Sequence, residues 1–116
     1  MMNKVYDLLF TNLFVPNAFV PSNSNPELRT FKPIGINLRS YRLEVHSAWG
    51  NLVFESTRLE NGAPAEGWDG TYKGEDLPTA SYIWRISAVF KDGTLWKGTN
   101  NGDGNTATSG TVTLIR

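Results

Sequence analysis

The sequence predicts an all-β chain, an antiparallel sandwich of about seven short strands. Three observations predict it. Apolar residues recur at every second position in residues 41–47 and 82–90, which is the strand period. Glycine, proline and asparagine interrupt the chain too often for a long helix. No window carries apolar residues at helical spacing. Three of the four tryptophans, Trp49, Trp68 and Trp84, fall within one block of strands and turns, residues 41–86.

Length and charge bound what such a chain can do. At 116 residues it is one domain. Folding a chain of this size buries roughly two-thirds of its unfolded surface, enough for a real core. Lys+Arg and Asp+Glu number 11 each, so the net charge is zero. That speaks against nucleic acid or an anionic membrane as partner. There is no cysteine, hence neither a disulfide framework nor a thiolate metal site. No apolar run is long enough to span a bilayer.

In chain order, residues 1–13 read as a leader or linker. Asp7, Thr11 and Asn12 interrupt their apolar part, and no small-residue cleavage signature follows, unlike a signal peptide. Tyr6, Leu8 and Phe10 alternate, so a strand over residues 5–10 is the other reading. Pro16 and Pro21 confine residues 14–20 to an edge strand or extended entry. Residues 22–29 (SNSNPELR) are a loop by composition. Pro33 and Gly35 make residues 30–36 an edge strand with a bulge.

The next strand is half-buried, with Tyr41, Leu43 and Val45 on one face and Arg42, Glu44 and His46 on the other. A connection at Ala48-Trp49-Gly50-Asn51, in which Gly50 and Asn51 are able to take positive φ, leads to a partner strand whose Phe54 joins the core. Residues 57–66 read as an exposed loop, and residues 67–74 (GWDGTYKG) as turn. There Asp69 bonds its own turn backbone and Gly70 takes the left-handed conformation. Tyr82, Trp84, Ile86, Ala88 and Phe90 then share one face, and Asp92-Gly93 signals a two-residue hairpin. A return strand over residues 94–98, a polar loop over residues 99–109, and a last strand carrying Val112 and Leu114 complete the chain. Tyr82 opens a long strand after a turn, where a tyrosine corner would place it, its hydroxyl returning to upstream backbone.

Residues with catalytic potential are few. His46, the only histidine, alternates onto the polar face. Glu66 and Asp69 are close in sequence, but a solvated glutamate and a turn aspartate account for them. Residues 100–105 (NNGDGN) resemble a calcium loop with a single carboxylate, where calcium sites recruit several anionic oxygens. No catalytic residue, metal or cofactor is expected. A buried tryptophan removes roughly 150–250 Å² from water, so Trp49 and Trp68 are expected to pack in core or turn. Trp96 is left open between core and ligand platform.

The motifs VPNAFVP, FKPIG, YRLEVHSAWGNLVFES, GWDGTYKGEDLPTASYIW and SGTVTLIR occur in this order. Together they resemble the gliding motility-associated C-terminal domain, the type B sorting domain of the type IX secretion system of Bacteroidetes. The resemblance covers residues 14–116. It implies an immunoglobulin-like, non-catalytic address on a covalently linked N-terminal passenger, with residues 1–13 as linker or leader. The implied partners are the type IX machinery at the outer membrane and a surface peptidase. The implied route is the periplasm in transit, then the cell surface or medium. Trp49, Gly50, Trp68, Asp69, Gly70, Tyr82 and Trp84 are its structural motif residues.

The chain departs from the family pattern at three places. SNSNPELR replaces an acidic glycine-rich loop, Ala48 stands where an arginine is usual, and Ala80 replaces a glycine. The last strand, residues 110–115, is expected to lie at a sheet edge, where strand addition by a partner would read the surface around Thr111, Thr113 and Arg116. A reading from another class is a generic immunoglobulin-like adhesion or carbohydrate-binding module, which requires an exposed aromatic patch.

Overall fold

The computed structural model describes residues 11–100 and 106–116, and within them the chain is all-β. Pro16 separates β1 (Asn12–Phe14) from β2 (Ala18–Phe19). After a 3₁₀ turn at Pro26–Leu28 come β3 (Ile34–Ile36), β4 (Leu38–His46) and β5 (Leu52–Ser56). Two small hairpins follow, β6 (Leu59–Glu60) with β7 (Ala63–Pro64), then β8 (Thr71–Tyr72) with β9 (Glu75–Asp76). The long β10 (Ala80–Phe90) precedes β11 (Thr99–Asn100), β12 (Thr106–Ala107) and β13 (Ser109–Leu114). A five-stranded sheet runs in the order β2-β13-β10-β4-β5. β1 pairs with β3 in a separate ribbon, and an isolated bridge joins Phe31 to Trp68.

Alternation decides which face of the main sheet is dry. Tyr82, Trp84, Ile86, Ala88 and Phe90 of β10 are buried, as are Tyr41, Leu43 and Val45 of β4 and Val112 and Leu114 of β13. Leu38 lies three positions before Tyr41, out of phase for a regular strand. A bulge between Val89 and Phe90 pairs Ser40 with Val89 and Leu38 with Phe90, so the extra residue returns Leu38 to the core face. A second bulge sets Val45 opposite Phe54 and His46 opposite Leu52. The extra residue, Val53, is buried, while Phe54 is half-buried at the edge strand rather than fully in the core as expected.

The opposite face is wet. Glu44 and Glu55 are cross-strand partners and like charges, and Arg42 bridges both at 3.0 and 2.9 Å. Such exposed pairs contribute about 0–1 kcal/mol, so they settle a local repulsion rather than hold the sheet.

Against the dry face lie Leu13, Val15, Phe31 and Trp68 in one continuous core. Leu13 precedes the boundary expected at Phe14 and is buried because β1 pairs with β3. Gly110 sits opposite Trp84, and a Cβ there would stand 2.8 Å from the indole. The bare glycine lets the ring lie flat across the neighbouring strand.

Local turn chemistry accounts for several differences from expectation. Residues 57–66 are not a plain loop: Asn61 and Gly62, both at positive φ, close β6 on β7. Lys73 and Gly74 do the same for β8 and β9. The Asp92 turn encloses three residues rather than two, and the Trp49 turn also encloses three, Ala48 to Gly50; Phe90 N–H→Thr94 O and Ser47 N–H→Asn51 O close them, each at 2.9 Å. Gly50 and Gly93 supply the left-handed residue that this loop length requires; Asn51 does not. The strand reading of residues 5–10 and most of the NNGDGN segment (101–105) lie outside the described residues.

Trp68→Ala should cost about 3–5 kcal/mol of folding free energy, and Trp49→Ala less than about 0.5 kcal/mol. Urea titrations of the two variants beside the parent chain check the contrast. Tyr41 supplies a pH test. Its hydroxyl is buried without a hydrogen-bond partner among the described residues, and burial, reinforced by the Glu66 carboxylate, pushes its pKa well above the ordinary value. The unfolded tyrosine ionises near pH 10, so the stability it contributes is complete below about pH 10 and is lost as pH rises above it. Tyr41→Phe should leave stability at pH 7 equal or slightly higher and reduce the fall in midpoint between about pH 9 and 11. An unchanged alkaline slope would show that Tyr41 does not govern it.

Candidate functional site

The two motifs that most sharply define the sequence, W-D-G-T and the terminal T-L-I-R, meet in space. Trp68 is almost fully buried, at 1% exposure. Its amide and carbonyl both pair with Phe31, at 2.9 and 2.8 Å, and its indole N–H donates to Thr71 O at 2.9 Å. The ring packs on Phe19 and, edge-on, on Tyr82, with centroids 5.3 and 5.0 Å apart. Asp69 Oδ1 accepts from the Thr71 amide at 3.1 Å and hydroxyl at 2.7 Å. The same D-G-T sequence recurs at Asp92, where Thr94 donates at 2.9 and 2.6 Å and holds the carboxyl below its ordinary pKa. Asp69 thus fills the turn role expected of it, and Gly70 has the expected positive φ of 85°.

Gly70 is required for two reasons. Besides its backbone conformation, a Cβ there would stand 3.0 Å from both Arg116 Nη2 and a Leu114 methyl. Its carbonyl accepts from the Leu77 amide at 2.9 Å and from Arg116 Nη2 at 2.7 Å. Arg116 also donates from Nε to Leu77 O at 2.7 Å and from its amide to Thr79 Oγ1 at 2.8 Å. Asp76, mostly exposed and 3.7 Å away, adds a weak ion pair. The Tyr82 hydroxyl donates to Pro78 O at 2.8 Å, the return to upstream backbone expected of a tyrosine corner. Burial raises the pKa of that phenol, with Arg116 opposing.

Two sequence expectations are corrected here. Residues 110–115 form a sheet edge only in their first half: β2 pairs with β13 at Thr113 and Leu114, where Thr113 N–H→Asn17 O and Ile115 N–H→Phe19 O cover the outer side, and no strand pairs with 110–112 on that side among the described residues. Arg116 is accordingly a clamp, Thr113 is half-buried, and Thr111 is exposed. Trp49 is not packed at all: it is 91% exposed. It sits at the tip of the hairpin loop between β4 and β5, past the end of the sheet. Trp84 is buried, and Trp96 packs against it with centroids 6.3 Å apart.

Glu66 and Asp69 serve separate partners, Glu66 accepting from Ser56 Oγ at 2.6 Å. His46 lies on the polar face, 3.9 Å from Glu44. The clamping role of Arg116 was not readable from spacing, since its partners lie 37 to 46 residues upstream. Protein families, curated proteins and solved structures provide no match to this chain.

Gly70→Val should destabilise the fold by more than about 1 kcal/mol. Arg116→Ala should cost about 1–3 kcal/mol, because carbonyls of Gly70 and Leu77 lose a charged donor. Asp69→Asn should change little, since an amide oxygen accepts the same bonds. Guanidinium midpoints of the three variants test that order; equal midpoints for Arg116→Ala and the parent would remove the clamp.

Proposed function

We propose that this chain is a C-terminal sorting domain that directs a passenger protein across the outer membrane through the type IX secretion system. The fold proposed with it is an immunoglobulin-like sandwich. Three observations support that fold. β10, with its tyrosine corner, lies between β4 and β13, as the F strand lies between C and G, and β5 extends the sheet as C′ does in variable-type domains. The first segment divides between layers, β1 pairing with β3 and β2 with β13. Phe31 bridges to Trp68 in the second layer.

The observation that carries the functional reading is the junction of Gly70 with Arg116. The family-like motifs are far apart in sequence, yet one guanidinium ties them together. Arg116 is thereby part of the fold, so recognition falls on a folded surface rather than on a loose tail. Of the proposed recognition residues, Thr111 and Arg116 are exposed and Thr113 is half-buried; Thr111 is the exposed one outside the clamp.

The 116-residue chain fused behind a reporter with its own inner-membrane export signal tests this in a type IX-competent host. The intact fusion should reach the surface or medium. Deleting residues 114–116 should leave the reporter in the periplasm. Thr111→Lys should preserve the melting temperature and lower export. Equal export of the intact and truncated fusions would end the sorting proposal.

A further inference from the structure

We propose a second site, independent of the sorting reading: a groove beside Trp49 that binds a neutral saccharide. Trp49 contributes almost nothing to the fold. Its hairpin closes through Ser47 N–H→Asn51 O and Gly50 N–H→Ser47 O, both at 2.9 Å, and through the Ser47 hydroxyl oxygen, which accepts the amides of Trp49 and Asn51 at 3.3 and 3.2 Å. None of these bonds uses the indole, which stays in water. Large aromatic surface left exposed beside a concavity marks a contact site.

The concavity is present. A groove of about 290 Å³ runs from Trp49 past Ser47, Asn51 and Ser81 to Pro78 and Tyr72. Tyr72 is itself 39% exposed, and Lys73 lies 5.3 Å from its ring centroid. Small-molecule sites usually span about 300–1,000 Å³, so this groove suits one or two sugar rings of a chain rather than a large cofactor.

Its chemistry selects the ligand class. No Lys, Arg, Asp or Glu lines it, and the Lys73 ammonium lies over the Tyr72 ring at its rim, so a phosphate, carboxylate or amine seated in the groove would be desolvated without a counter-charge in the lining. The polar groups are neutral hydroxyls and an amide. The side chains of Asn51 and Ser81 make no hydrogen bond among the described residues, and the Ser47 hydroxyl, although it accepts two amides, keeps its own proton to donate. An apolar partner surface would cover these groups unpaired, at a cost. A pyranose matches both demands: its C–H face lies on an indole, and its hydroxyl rim exchanges bonds with Ser and Asn. The amphipathic character of tryptophan suits that contact.

The test follows the indole N–H of Trp49 in ¹H–¹⁵N spectra of the full chain, assigned by its loss in Trp49→Ala. The probes are cellohexaose, maltohexaose and xylohexaose, with hexagalacturonate as the charged control. At least one neutral hexaose should shift the Trp49 signal saturably, with Kd of about 0.1–5 mM. Trp49→Ala should weaken that binding at least tenfold at an unchanged melting temperature, and Asn51→Ala severalfold. No shift of Trp49 with any neutral hexaose up to about 10 mM would overturn the proposal. So would equal binding of hexagalacturonate, or a Trp49 shift that depends on protein concentration alone, which would identify a contact between copies of the chain.

Discussion

The burial of Trp68 is the constraint on which the rest of the structure depends. A buried indole needs a partner for its N–H, and leaving one unsatisfied costs about 1–3 kcal/mol. Thr71 O, three residues on, accepts it. The chain can turn back so soon only because Gly70 takes a positive φ and Asp69 ties the Thr71 amide and hydroxyl. The same tryptophan pairs its backbone with Phe31 in both directions and sets its ring between Phe19 and Tyr82. One side chain therefore joins the bridge to Phe31, the edge strand β2 and the central strand β10. Hydrophobic burial supplies the force, and the turn supplies the geometry that makes that burial affordable.

The turn also decides how the last strand ends. Once Gly70 is fixed, its carbonyl faces the guanidinium of Arg116, and the space a side chain would fill is taken by Leu114. Val112 and Leu114 hold β13 from inside, and β2 covers its last two residues from outside. Arg116 then joins Leu77 and Thr79. Every step rests on a bond between residues distant in sequence, so the end of the sheet is cooperative with its middle.

How much of this was legible in the sequence depended on the range of the interaction. Period-two alternation marked the dry faces of β4, β10 and β13, because face is a property of neighbours two residues apart. The D-G-T turn and the Tyr82 corner were legible for the same reason: their partners lie two and four residues away. The Asn61-Gly62 and Lys73-Gly74 hairpins were missed because their strands are only two residues long and show no period. Bulges defeated the count at Leu38 and Val53, since one extra residue reverses the phase. The covering of β13 by β2 depends on a parallel contact between the two ends of the described chain, for which no local pattern exists.

Tryptophan shows the same division. Trp84 and Trp49 are the same residue type, but alternation reached only Trp84, while Trp49 was read in the connecting turn. Trp84 occupies a strand position, inherits the dry face and lies over Gly110. Trp49 occupies a loop tip past the end of the sheet and stays exposed. The groove beside it is nevertheless firm, because its far wall is fixed from behind. Arg116 takes the carbonyl of Leu77, the Tyr82 hydroxyl takes that of Pro78, and the Arg116 amide takes the Thr79 hydroxyl. A ligand entering there meets a wall already ordered and loses little entropy in ordering it. The clamp that closes the sheet therefore also pre-organises the surface beside its one bare indole.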